Sequence, residues 1–317
     1  MNSPDKFYLA PLQSFTDFAY RKSYHRLFGG FNAYYIPYIS SGSGDKIRNS
    51  QLRDLTPENN EGVPVVPQIL CANPDEAISV AKRLEDFGYE KLNLNMGCPY
   101  PMATNRGRGS ALLEKPDELK ALLDTLFSRF QFEVSVKFRA GISNDHAVFK
   151  LIDLLKSYPI TQYTFHPRTA SQLYKGEADR KLFAEFSREF GQTLVYNGDI
   201  QSAADLEEIR TLVPSQTEWM IGRAVLSNPF LLAELRGEEA SPKQKNQLKQ
   251  EFHHAYFSEY RSLFSDDGQV LMKMKGFWSY FAESFSNPHK SFKLVKKASS
   301  LQKYEAAIAT IFREFGH

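Results

Sequence analysis

Cysteine is scarce in this chain: Cys71 and Cys98 are the two it has among 317 residues. That excludes a disulfide-built scaffold, and no Cys/His cluster has the spacing of a structural zinc site. Long hydrophobic runs are missing as well. None approaches the roughly 18 uninterrupted apolar residues that a membrane-spanning helix needs. The opening Met1-Asn2-Ser3-Pro4-Asp5-Lys6 lacks the charged-then-apolar layout of a secretory signal. The expectation is a soluble cytoplasmic protein with no membrane partner and no metal, and nothing in the sequence points to a protein partner. A large charge imbalance is absent too, with 39 basic against 37 acidic residues. Apolar residues make up 42% of the chain, enough for one or two domains with real cores, so disorder is excluded as the main state.

The near-neutral total hides a division. From Ser241 onward 12 basic residues face seven acidic ones, whereas residues 1–240 carry 27 basic and 30 acidic. A basic C-terminal part beside a slightly acidic body hints at an anionic partner, although a solvated helix surface gives the same imbalance.

Short β-favouring runs recur at 7–10, 33–36, 65–69, 92–95, 134–138, 163–166, 194–197 and 219–221. Amphipathic stretches separate them. Residues 74–87 place Ala77, Val80, Ala81 and Leu84 on one helical face, and 117–130 do the same with Leu119, Leu122, Leu123 and Leu126. Eight strands alternating with helices over about 230 residues fit a (β/α)8 TIM barrel. The competing doubly wound sheet would show a glycine fingerprint after its first strand, and Ala10-Pro11-Leu12-Gln13 is not one. Near residue 240 the strand signals stop. Residues 248–264 and 301–315 then carry apolar side chains at helical spacing, and Ser241-Pro242 suits a helix start. The expected division is therefore a barrel over 1–240 and a small helical domain over 241–317.

In such a barrel the chemistry lies at the C-terminal ends of the strands. Those ends are unusually polar here: Gln68, then Asn95-Met96-Gly97-Cys98-Pro99, then Lys137 and Arg139, His166 and Arg168, Asn197-Gly198-Asp199, and Gly222-Arg223. Each residue alone reads most simply as a hydrogen-bonded edge group, but their convergence at one rim favours a site. The last two segments follow strands seven and eight, where glycine backbone and a guanidinium commonly hold phosphate. Lys137 would place a positive charge against a ring system that develops negative charge. Cys98 lies in a Gly-Cys-Pro turn before the glycine-rich 105–111. A thiol there is a candidate metal ligand, nucleophile or general acid. Ligand partners at metal spacing and an obvious activating base are both lacking, which leaves general acid. Cys71 reads as a packing residue.

With these residues in place the sequence resembles the flavin-dependent tRNA-dihydrouridine synthases over nearly its whole length. The likeness is carried by Ala10-Pro11-Leu12-Gln13-Ser14-Phe15-Thr16-Asp17 with Arg21, by Asn93-Leu94-Asn95-Met96-Gly97-Cys98-Pro99 with Gly109, and by Val136-Lys137-Phe138-Arg139-Ala140-Gly141. His166-Pro167-Arg168-Thr169 with Gln172, Tyr174, Gly176, Ala178 and Asp179, then Asn197-Gly198-Asp199-Ile200 and Gly222-Arg223-Ala224 complete it. The resemblance implies a TIM barrel that binds FMN and a helical domain that helps hold tRNA. It implies FMN contacts from Pro11, Leu12, Gln13, Gln68, Lys137, His166, Asn197, Gly198, Asp199, Gly222 and Arg223. Cys98 matches the family's proton donor and Asn95 the asparagine that meets the uracil edge. Arg139, Arg168, Lys273 and Lys275 are further candidates for substrate contact.

The implied reaction is reduction of the uridine 5,6 double bond, with NADPH as electron donor, hydride arriving at C6 and a proton from Cys98 at C5. A flavin barrel reducing a small pyrimidine or enone is the alternative. The sequence departs from the family pattern at Ile36-Pro37, where Thr-Glu is frequent, and at Pro101, Arg180 and Gly276. None of these is a flavin or proton-donor position, so they bear on which uridine is the target. For Phe277, Trp278, Tyr280 and Phe281 the expectation is helical core.

Overall fold

The computed structural model describes residues 4–42 and 46–316. Eight parallel strands close into a barrel in sequence order: β1 (Lys6–Leu9), β2 (Ala33–Ile39), β3 (Val65–Ile69), β4 (Lys91–Met96), β5 (Glu133–Gly141), β6 (Gln162–Thr169), β7 (Val195–Tyr196) and β8 (Glu218–Ile221). All eight fall where the β-favouring runs predict them. The (β/α)8 TIM barrel expected from the sequence is what forms, and helical segments follow the strands in the chain. By contacts the chain divides into two compact units, Met1–Pro11, Asn32–Ile200 and Ala204–Ile221 forming one, and Leu12–Phe31, Gln201–Ala203 and Gly222–His317 the other.

In the barrel unit, strand alternation sorts side chains into an interior and a helix-facing shell. Tyr8, Ala10, Tyr35, Val66, Val195 and Met220 pack together as one buried cluster. At this end of the barrel Tyr8 donates its hydroxyl to Glu218 at 3.1 Å, Tyr35 donates to Gln162, and Gln162 in turn donates to Glu218 at 3.4 Å. One layer on, the interior turns to amides. Gln68 Nε2 donates to Asn93 Oδ1 at 2.7 Å, and Asn93 Nδ2 donates to Ser135 Oγ at 2.9 Å. Each of these groups is buried with its partner beside it, which is what lets polar side chains occupy a core. The helix Pro74–Asp86 begins with Asn73 accepting the N–H of Glu76 and buries Ala77, Val80, Ala81 and Leu84, the four residues its periodicity singles out.

The second unit is built on helices. Phe18–Leu27 is capped by Asp17, whose side chain accepts the N–H of Tyr20, and it packs on the 22-residue helix Pro242–Leu263. Tyr20 meets Phe252 edge to face at 5.5 Å and donates its hydroxyl to the Val225 carbonyl. Ser241 and Gln244 form a reciprocal cap with Pro242 in the first turn, so the Ser-Pro signal marks the true helix start. Asp267–Phe281, Pro288–Lys297 and Leu301–Phe315 follow. Phe277, Trp278 and Phe281 are buried, as spacing predicts, whereas Tyr280 is only half-buried and meets Phe15 edge to face at 5.0 Å. At the centre of this unit Trp278 Nε1 donates to the Tyr304 hydroxyl at 2.9 Å. The same hydroxyl is hydrogen-bonded to His253 Nε2, 2.6 Å away. No described helix is long and apolar enough to cross a membrane. Among the described residues, no group of three or more His, Cys, Asp or Glu is placed to hold a metal ion.

Candidate active site

The polar ends of β3 to β7 meet at the C-terminal rim of the barrel unit. Asn95 and Lys137 are register partners on β4 and β5, and Arg139 and His166 are partners on β5 and β6. Parallel pairing aligns equivalent side chains, so residues far apart in sequence share one rim.

Asn95 organises the turn that follows β4. Its Oδ1 accepts the backbone N–H of Gly97 at 2.9 Å and of Cys98 at 2.8 Å, while its Nδ2 donates to Gln68 Oε1 at 2.7 Å. Gln68 is fully buried and bonded at both ends of its amide, to Asn95 and to Asn93. A continuous line of amides thus runs from Ser135 to Cys98.

Cys98 is 6% exposed and packs with Leu70 and Ala103, with Tyr38 against the same cluster. Its carbonyl is gripped from the glycine-rich segment, accepting both the N–H and the hydroxyl of Ser110, at 3.1 and 3.0 Å. Gly109 next to it has φ +63°, and a Cβ there would lie 2.7 Å from the same carbonyl oxygen. Only glycine fits that approach. Arg108 anchors the segment by a two-pronged pair with Glu76, at 2.9 and 2.7 Å, and a further bond to the Ser41 carbonyl. Burial pushes the Cys98 thiol above its usual value; the Tyr100 backbone N–H, the Arg139 charge and the Tyr38 hydroxyl pull it back down. The group is therefore a thiol, not a thiolate, at neutral pH, which suits an acid and disfavours a resident nucleophile or metal ligand. Cys71 is wholly buried and pushed up to about 12 by that burial, the state of an inert packing residue.

Lys137 is half-buried, and no partner for its ammonium occurs among the described residues. Burial first, and then the Arg139 charge, bring it from 10.5 down to about 7. A cation left in that state on the inward face of the rim fits a ring that carries negative charge, as the sequence suggests. Arg139 and Arg168 are 2% exposed each and held by the protein. Arg139 donates to the Thr169 carbonyl at 2.8 Å and lies over the Tyr174 ring at 5.4 Å. Arg168 ties the β6 and β7 ends together through Asp199 and the Gly176 carbonyl, and its Nη1 stands 3.1 Å from His166 Nε2. A guanidinium only donates, so Nε2 accepts and His166 is neutral with its proton on Nδ1.

Asn197 donates to the Met220 carbonyl at 2.8 Å. Gly198 has no room for a side chain, since a Cβ would stand 2.5 Å from that of Ala178. Asp199 takes the left-handed φ of 41° and accepts the Ala178 N–H at 2.9 Å. This backbone is locked for close approach. Pro11 ends the first segment of the barrel unit, while Leu12, Gln13, Gly222 and Arg223 belong to the second unit, where Leu12 N–H is bonded to Thr16 Oγ1 and Gly222 precedes the short helix Arg223–Ser227.

Of the two lysines singled out in the helical part, Lys273 stands 3.4 Å from Asp17 and over the Tyr260 ring, and Lys275 is half-buried. More exposed cations lie elsewhere. Helix Pro288–Lys297 turns Lys290, Lys293, Lys296 and Lys297 to solvent while burying Ser291 and Val295. Lys290 faces Glu314 at 3.8 Å; the other three have no ion pair among the described residues. Their close spacing on one helix was a visible signal in the sequence, with Phe292 and Leu294 half-buried between them.

Compared with known proteins, residues 8–314 match the family model described as dihydrouridine synthase. The chain is 27% identical to tRNA-dihydrouridine synthase B of Pasteurella multocida (strain Pm70) over 232 residues, covering 72% of this chain and 68% of that one. It is 28% identical over 257 residues to tRNA-dihydrouridine(20/20a) synthase of Vibrio cholerae serotype O1, covering 76% of each. Among solved structures, morphinone reductase superposes with a TM-score of 0.52 at 11% identity, covering 74% of this chain and 87% of that one, a likeness of barrel fold alone. The family match spans almost every residue, and the chain belongs to the dihydrouridine synthase family.

Proposed function

We infer that this protein reduces uridines in tRNA to 5,6-dihydrouridine, with Cys98 as the proton donor. The observation that carries the reading is the state of Cys98: a buried, protonated thiol at the end of β4, positioned by Asn95 and by the Gly109-Ser110 clamp. Family membership supplies the substrate class.

FMN is the cofactor that fits the rim. Lys137 supplies a cation with no counter-charge of its own, His166 a neutral ring with its proton on Nδ1, and Asn197-Gly198-Asp199 a backbone fixed by Met220 and Ala178. Held by these residues, FMN reduced by NADPH would supply hydride chemistry at C6 of the uracil. The protein's own task is the other half of the addition. As C6 gains hydride, electron density moves to C5 and O4, and Cys98 gives its proton to C5 while the S–H pair stays on sulfur. Asn95 holds the thiol at its position and has one N–H left beyond its bond to Gln68, which suits an acceptor on the uracil edge. Arg139 and Arg168 brace the rim from within and act on substrate through the groups they hold.

A uridine inside folded tRNA must leave its stack to reach such a site, at about a few kcal/mol. Binding of tRNA phosphates offsets that cost. The exposed lysines Lys293, Lys296 and Lys297 suit it, with half-buried Lys275 and, once it leaves Asp17, Lys273 beside them. The test is direct. Purified protein should be yellow, and with NADPH and unmodified tRNA it should produce dihydrouridine; a colourless protein that leaves tRNA unchanged would overturn the reading.

A further inference from the structure

The second strand contains an irregularity whose effect is to aim one side chain. Along β2 and β3, Ile36 pairs with Pro67 and Ile39 with Ile69, so β2 spends three residues where β3 spends two. Such a bulge resets the alternation of side chains beyond it. Before it, Tyr35 faces the barrel interior with Val66. After it, Ile39 takes the helix-facing side beside Ile69, which turns Tyr38 inward, next to Gln68. The strand proline Pro37 occupies the bulge, where a missing N–H is tolerated. Gln51 Nε2 then holds the Tyr38 carbonyl at 3.1 Å. The ring comes to rest on the cluster of Leu70, Cys98 and Ala103, which sets its phenol beside the thiol, where it helps pull Cys98 down from the value burial imposes.

We infer that Tyr38 is the hydrogen-bond donor that receives the charge Cys98 develops when its thiol gives up a proton. The inference rests on the reading of Cys98 as the acid. In the step, the S–H bond breaks, a C5–H bond forms, and the electron pair left on sulfur is met by the Tyr38 O–H, which itself stays covalent. Solvent returns the proton to sulfur before the next turnover. The other groups near the sulfur are the Tyr100 backbone N–H and Arg139, whose guanidinium already donates to the Thr169 carbonyl and lies over Tyr174. Around Tyr38 the charged and titratable groups are Cys98, Arg48 and Tyr100. Among these groups Tyr38 is the tyrosine whose side chain packs on the cluster that holds Cys98. The residue is half-buried.

The test uses Tyr38→Phe, which keeps the ring on Leu70 and Ala103 and deletes the hydroxyl. Alkylation of Cys98 by iodoacetamide is followed by mass spectrometry from pH 6 to 10, in the protein without tRNA. Without the hydrogen bond to its charged form the thiolate should be scarcer, slowing alkylation near pH 8 roughly tenfold and moving its midpoint upward. Single-turnover reduction of tRNA should slow by a similar factor while KM stays put. Tyr38→His, which retains a ring N–H donor, should restore part of both effects. An alkylation profile in Tyr38→Phe and Tyr38→His identical to that of the unaltered protein would overturn the inference. Retained tRNA reduction in Cys98→Ala would instead overturn the assignment of the acid, whatever the alkylation profile shows.

Discussion

The side-chain oxygen of Asn95 accepts the backbone N–H of Cys98 at 2.8 Å, so a residue assigned to the uracil edge also sets where the proton donor stands. The same oxygen holds the N–H of Gly97. Asn95→Ala strands the buried Cys98 N–H and the part-buried Gly97 N–H and releases the turn. We expect a loss of about 1–3 kcal/mol in stability and a fall in kcat of roughly 10- to 100-fold, with flavin content unchanged, measured by thermal melting, absorbance and dihydrouridine yield.

Lys137, as the cation proposed to meet the flavin, should make flavin binding depend on pH. Its folded value of about 7 lies below the ordinary 10.5, so the unfolded chain binds a proton that the flavin-free folded protein does not. Stability of the flavin-free protein therefore rises with pH between 7 and 10.5. An electron-rich ring beside Lys137 restores the charge, and above pH 7 binding must take up that proton. Affinity for FMN should fall as pH rises from 7 to 9, read by quenching of flavin fluorescence. In Lys137→Met binding should be weaker and flat across the window.

His253 gives the helical unit an acid sensitivity. Burial holds it down at about 3 against the ordinary 6.5, with the neighbouring His254 charge adding to the effect. Between those values the unfolded chain binds a proton that the folded one refuses, so stability falls as pH drops through the window. At pH 5 the loss is about 2 kcal/mol. His253→Phe should be less stable at pH 7, because the Tyr304 hydroxyl loses that hydrogen-bond partner, yet its melting temperature should change less between pH 7 and 5.

The exposed lysines of helix Pro288–Lys297 should govern the salt dependence of tRNA binding. Lys293→Gln with Lys296→Gln should lower the slope of log K against log salt by about 1 for each tRNA phosphate that no longer meets a lysine. The rate of a single turnover at saturating tRNA should not change. Filter binding from 50 to 200 mM salt reads the slope.

The architecture was legible because strand and helix periods are local: all eight strands and the helix Leu301–Phe315 lie where apolar spacing places them. The helix Pro242–Leu263 begins six residues before the apolar pattern does, since its first turns carry Lys243, Gln244 and Lys245 and only the Ser-Pro cap announces them. The helix Phe18–Leu27 gave no such pattern, because polar Arg21 and Ser23 are buried beside Phe18, Ala19, Tyr20 and Tyr24, while Lys22 and Arg26 face solvent. In the site, residue type located the rim but not the direction of its cations. Arg139 and Arg168 read alike in sequence to Lys137, yet the two guanidiniums are spent on carbonyls and on Asp199 while the ammonium is not. Tyr38 was invisible because a bulge, not strand alternation, decides where it points.

The most direct measurement follows reoxidation of the prereduced protein by unmodified tRNA in a single turnover, comparing the unaltered chain with Cys98→Ala. Loss of the general acid should slow the reaction about 10²- to 10⁴-fold, with FMN content and tRNA affinity unchanged. Equal rates in the two proteins would contradict the assignment of Cys98 as proton donor.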